Sequence, residues 1–219
     1  MIIENSASIE DHIYASLEEE ILTGKLARGE QLRESALAKK YDASRTPVRA
    51  ALTRLADDGL IELLANKGAT VVGITDEDIV DIYSMRMRLE GLAARLAAER
   101  MSEGEKKDLS ELLDLYEFYT DRGNCDKREE LDSAFHRTIF DASGSRHLSK
   151  ILKDLHKHIK AYRRFSLSSS ERAEMALEEH KGILKAIEKG DAEEAERLTV
   201  IHISAALENF KKTEKTTNM

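Results

Sequence analysis

Apolar residues recur at helical spacing near the start of the chain: Ile9, Ile13, Leu17 and Ile21 share one face, and Gly24 follows as a residue suited to end the helix. A turn from Lys25 to Glu30 leads to a short helix from about Glu34 to Tyr41, with Leu37, Ala38 and Tyr41 on its apolar side. Ser44 then stands where an N-cap belongs. It opens a helix from Arg45 to about Asp58, with Pro47 in the first turn, where a missing N–H does no harm. Gly59 stops that helix. The stretches 60–64 and 69–72, separated by Asn66-Lys67-Gly68, predict two short strands around a tight turn. Three helices followed by a β-hairpin predict a winged helix-turn-helix over residues 1–73.

From Asp76 onward the pattern changes to uninterrupted amphipathic helix. The spacing predicts helices at about 76–101, 103–122, 125–142, 146–166, 171–189 and 191–213. Thr75 with Asp78, Ser102 with Glu105 and Asp191 with Glu194 stand at capping-box separation, which supports three of the starts. The fold class expected is therefore mainly α, with an all-α six-helix bundle over 76–213 and a frayed tail at 214–219.

Composition narrows the class of molecule. In 219 residues, 41% hydrophobic and 35% charged, there is one Pro and no Trp, the balance of an ordered, helix-rich protein. No apolar run approaches the ~20 residues that span a bilayer, and Met1 to His12 lacks the basic and apolar regions of a cleaved leader. A cytoplasmic location without a membrane partner is expected. The single cysteine, Cys125, excludes an internal disulfide and a cysteine-based zinc site. A net charge of −8 argues against a nucleic-acid partner until its distribution is considered. Between Gly24 and Arg54, eight basic residues stand against three acidic ones.

That basic segment contains the predicted recognition helix. A helix that enters the major groove needs short polar and basic side chains in its first turn, and Ser44, Arg45, Thr46 and Arg49 supply them. Arg45 and Arg49 project one turn apart, each able to offer a guanidinium fork to guanine. Arg33 could reach the backbone or a base, and Lys67 at the hairpin tip the adjacent minor groove. The pattern Gly24, Leu26, Gly29, Leu32, Glu34, Leu37, Ala38, then Ser44 to Arg49, Ala51, Leu52, Leu55, Gly59, Leu60, Ile61, Gly68 and Val71 resembles the signature of the GntR-type bacterial transcription regulators. Ala43 and Ala50 depart from its usual Val and Glu. The resemblance implies that Arg33, Arg45, Thr46, Arg49 and Gly68 contact operator DNA.

The bundle carries a second kind of chemistry. Asp132 and His136 stand at i, i+4 beside Leu131, Phe135 and Ile139, so both point toward the core. His180 falls in the stripe Leu177, Leu184, Ile187, and His202 in the stripe Leu198, Ile201, Ala205. One carboxylate and three imidazoles suit a divalent ion, Zn or Ni first, Mn or Fe also. His12, His147, His156 and His158 are read as core or surface residues. Arg86 lies one turn from Leu89 and Glu90, where it could hold an effector carboxylate or simply pair with Glu90.

The segments Arg86 to Ala98, Asp132 to His136 and Glu179 to Ile187, with His202, resemble the FCD ligand-binding domain of the FadR branch of the GntR family. In metal-binding members the positions of Asp132, His136, His180 and His202 hold a divalent ion and a carboxylate effector completes its shell. The expected function is a regulator, not an enzyme: a homodimer that reads an inverted-repeat operator in double-stranded DNA and responds to a small organic acid. Two alternatives are a regulator whose signal is the metal itself and a metal-dependent hydrolase, against which it counts that no inward general base is found other than Glu179, which is next to a ligand.

Overall fold

The computed structural model describes residues 3–64, 68–159 and 169–217, the side chains of 3–8 and 213–217 excepted. The chain divides into two compact units, residues 1–75 and 76–219.

In the first unit, α1 (Ile3–Leu22) is followed by β1 (Gln31–Leu32), α2 (Glu34–Lys40), α3 (Arg45–Asp57), β2 (Ile61–Leu64) and β3 (Gly68–Val71). Ile13, Leu17 and Ile21 of α1 bury against Val48, Ala51, Leu52 and Leu55 of α3 and against Leu60, Ile61, Ala69 and Val71. The 3.6-residue apolar spacing of both helices thus closes on one core. The strands are antiparallel in the order β1-β3-β2, with Gln31 opposite Thr70 and Leu64 opposite Gly68. The sequence pattern predicts only the hairpin. A two-residue strand such as β1 has no periodicity of its own and exists because β3 supplies its partners.

Gly68 occupies φ +89°, and a Cβ there would lie 2.2 Å from the carbonyl oxygen of Leu32. Glycine is therefore demanded by the approach of β1 as well as by the backbone angle. Lys67, expected at the hairpin tip, lies outside the described residues.

The second unit consists of α4 (Asp76–Arg100), α5 (Glu103–Asp121), α6 (Cys125–Ala142), α7 (Arg146–His158), α8 (Ser170–Glu188) and α9 (Ala192–Thr217). The predicted extension of α7 to 166 falls largely outside the described residues, and α9 runs on past the expected end at 213. Ser102 and Glu105 form a reciprocal capping box, and Asp191 accepts a hydrogen bond from the Glu194 N–H at 3.1 Å. Ala93, Ala94 and Ala97 give α4 a small-residue face within the core, where Phe135, Ile139, Leu177 and Ile187 join it. At Gly91 a Cβ would lie 3.0 Å from Val200 of α9, so the missing side chain lets these two long helices approach. Ile201 corrects the expected inward stripe of α9: it is exposed, and Ala195, Thr199, His202 and Ile203 are buried instead.

Candidate functional site

Two groups of residues carry chemistry, one in each unit. On the first unit Arg33, Ser44, Arg45, Thr46 and Arg49 are all exposed. Ser44 holds the N-cap position of α3 in extended conformation, with no side-chain capping bond, while the opposite face of that helix packs inward through Val48 and Leu52. Arg33 holds the N-cap position of α2. A shallow concavity of about 490 Å³ brings Arg33, Arg45 and Arg49 together with Gln31, Glu34 and Gly68. The Arg49 Nε donates to both carboxylate oxygens of Glu34, at 2.9 and 2.8 Å. Arg49 is thus held across the concavity by an acid on α2. In the sequence Glu34 stood out as a position of the signature, with nothing to mark it as the partner of Arg49.

In the second unit, Asp132, His136, His180 and His202 come together from α6, α8 and α9, every one of them buried. The Nε2 atoms converge: His202 stands 3.3 Å from His180 and 3.3 Å from His136, and Asp132 Oδ1 lies 3.6 Å from His180 Nε2. Around a tetrahedral ion with Zn–N bonds of about 2.0–2.1 Å, neighbouring nitrogens stand about 3.3 Å apart, so the donor set fits a divalent ion in both type and spacing.

The far sides of two rings are tied down by carboxylates. His202 Nδ1 lies 2.6 Å from Glu179 Oε2, and His136 Nδ1 lies 2.8 Å from Glu90 Oε2. Such contacts orient an imidazole and set which nitrogen is free to act as a donor to a metal. His180 is positioned differently, stacked on Phe135 with centroids 4.3 Å apart and met edge-on by Tyr116.

Glu90 is the centre of a second cluster. It also faces His156 Nε2 at 2.8 Å and accepts from Arg86 Nε at 2.5 Å. Burial pushes its carboxyl up, but the Arg86 guanidinium, His156 and His136 outweigh that and hold it well below the usual carboxylate range. Glu90, His136 and His156 are also close enough to hold an ion. The first cluster is the better metal site, because there the ring nitrogens face one another, whereas Glu90 is already engaged by Arg86 and two imidazoles. His156, read from sequence as an ordinary core or surface histidine, is therefore part of the buried network. It also lines a groove of about 490 Å³ between α6 and α7, with Ser133, Arg137 and Lys153.

The Arg86–Glu90 pair is realised, and Arg86 Nη1 is left without a hydrogen-bond partner among the described residues. Glu179 is not placed as a free base. Burial raises its carboxyl, yet the His202 hydrogen bond and Arg172, with contacts of 3.2 and 2.9 Å, bring it below its ordinary value.

Comparison with known proteins agrees with this two-part layout. The family model described as "Bacterial regulatory proteins, gntR family" matches residues 9–71, and that described as "FCD domain" matches residues 81–205. The uncharacterized HTH-type transcriptional regulator YdhC of Bacillus subtilis is 31% identical over 90% of this chain and 89% of its own length. The HTH-type transcriptional repressor RspR of Escherichia coli K12 is 26% identical over 93% and 89%. Among solved structures, E. coli McbR/YncC shares the fold with a TM-score of 0.76 at 20% identity, over 94% of this chain and 98% of that one. Among the described residues no helix is long and apolar enough to cross a membrane.

Proposed function

Because the chain belongs to the GntR family of bacterial regulatory proteins with an FCD domain, and is a DNA-binding transcriptional regulator, we propose that it is a metal-containing, effector-responsive member that acts as a homodimer. Each N-terminal unit reads half of an inverted repeat, since a two-fold protein suits two-fold DNA. Arg45, Thr46 and Arg49 are assigned to base edges and neighbouring phosphates, with Arg33, Ser44 and the Gly68 backbone on the flanks. Arg49 must leave Glu34 to take up that role, so the Glu34 contact holds it until DNA competes for it.

Asp132, His136, His180 and His202 would hold the divalent ion, Zn or Ni by preference. The observation that carries this reading is the convergence of three buried imidazole nitrogens whose rings are oriented by carboxylates or aromatic stacking. The ion supplies a positive charge to which a small organic acid can bind. Arg86, with a free buried N–H, is assigned to the same carboxylate. Binding of the acid alters operator affinity only as far as it favours one arrangement of the dimer over another. The engagement of Glu179 by His202 and Arg172 weighs against the hydrolase alternative, and the matched relatives are regulators.

The test is elemental analysis of the purified full-length protein, joined to a thermal-shift screen of mono-, di- and tricarboxylates. Retained metal and a carboxylate-dependent rise in Tm are expected, both lost in His180→Ala. Retained metal with no response to any acid would favour the alternative in which the metal is itself the signal. Absence of both would overturn the sensory assignment.

A further inference from the structure

One turn before Asp132 on α6, the chain buries an arginine that the proposed function does not use. Arg128 is 1% exposed, and a guanidinium remains charged at any physiological pH. Among the described residues its Nε and Nη1 have no hydrogen-bond partner and no carboxylate pairs with it. The contrast with Arg86 is direct, since that guanidinium is compensated by Glu90 at 2.5 Å. A buried cation without a counter-charge is costly, so the group that touches it matters. That group is the sulfur of Cys125, 2.9 Å from Arg128 Nη2.

Cys125 is the first residue of α6, at the end of the helix whose free N–H groups favour negative charge. It is partly exposed, so a small reagent can reach it.

We propose that Cys125, whose sulfur lies against the buried guanidinium of Arg128, is a site of oxidation by hydroperoxides. The sulfur attacks one peroxide oxygen, an S–O bond forms as the O–O bond breaks, and the departing hydroxide takes up the thiol proton to leave as water, so that thiol and peroxide give sulfenic acid and water. Sulfur loses two electrons and the peroxide gains them. The new sulfenic oxygen is an acceptor beside the Arg128 guanidinium, which already touches the sulfur through Nη2. Because Arg128 precedes Asp132 by one helical turn, this places a redox-sensitive group on the same helix as two of the proposed metal ligands. The assignment does not depend on the metal being present.

The test uses the full-length protein, in which any thiol adduct belongs to Cys125. Alkylation by iodoacetamide at pH 7 is followed by intact mass, for the folded chain and for the same chain in urea. A cation against the sulfur favours its attack on the reagent, so a rate about tenfold or more above that of the unfolded chain is expected. Arg128→Met, close in volume, should remove that excess and also the dimedone adduct that forms after hydrogen peroxide treatment. A folded-chain rate no higher than the unfolded one, or an unchanged rate in Arg128→Met, would overturn the proposal. Should Arg128→Met not fold, the folded-to-unfolded ratio of the unsubstituted protein decides alone.

Discussion

The two units use arginine in opposite ways. In the N-terminal unit Arg33, Arg45 and Arg49 are exposed, and the one ion pair they form among the described residues, Arg49 with Glu34, lies at the surface. In the C-terminal unit Arg86 and Arg128 are almost wholly buried. Water solvates the first set, so these side chains cost the fold little and remain free to exchange solvent for phosphate or guanine. The second set has lost its water and must be satisfied inside the protein, by the Glu90 carboxylate in one case and by contact with the Cys125 sulfur in the other. On the proposed function the same residue type is thus a recognition element at the surface and a structural commitment in the core. Substitutions should separate binding from stability accordingly.

The largest expected effect tests the buried side. Glu90→Ala should cost about 3–5 kcal/mol of unfolding free energy in a urea titration, because Arg86 is then left as an uncompensated buried charge. The double variant Arg86→Met with Glu90→Leu should recover much of that loss. A single-variant cost below 1 kcal/mol would mean that the cluster is far more hydrated than its burial indicates.

Gly68→Ala would break the comparison from within the exposed face. Its Cβ meets the Leu32 carbonyl, and its φ is positive, so a stability loss of about 1–3 kcal/mol is expected although the residue borders the concavity proposed to face DNA. Arg45→Ala and Arg49→Ala should do the reverse. Each should lose about 1–3 kcal/mol of operator binding in a mobility-shift titration and relax base preference, with a urea midpoint shifted by no more than about 0.5 kcal/mol. Equal affinity for all sequences in the unsubstituted protein would sink the base-reading assignment.

The smallest effect concerns a cap. Ser102→Ala should cost about 1 kcal/mol, measured in the same urea titration. The Ser102 hydroxyl and backbone N–H hold the Glu105 carboxyl below its ordinary value. A depressed carboxyl stabilises the fold above the ordinary carboxylate range, and that contribution disappears as the pH falls through the lowered value. The variant should therefore show a shallower loss of stability on acidification than the parent, and an identical slope would argue against the capping box.

Much of this was legible in the chain. The spacing of Ile13, Leu17 and Ile21, the stop at Gly59 and the Ser102–Glu105 signature each state a local preference, and local preferences survive folding when the apolar face has somewhere to go. The i, i+4 separation of Asp132 and His136 likewise places both on one side of α6 whatever else the helix does. By contrast β1, a two-residue strand, could not be read, because it takes its hydrogen bonds from β3, thirty-odd residues further on. The outward turn of Ile201 escaped for a related reason: which arc of a long helix is buried depends on the helices beside it, not on its own period alone.

Sequence by itself determined the order of the helices, the basic recognition segment and the identity of the four candidate metal donors, since each rests on residue type and spacing within one element. Only the tertiary structure decided that three imidazoles from three helices meet nitrogen to nitrogen and that Glu90 serves both His136 and His156. Those facts are distances between distant stretches of chain. They are set by the packing of whole helices, and no local pattern encodes them.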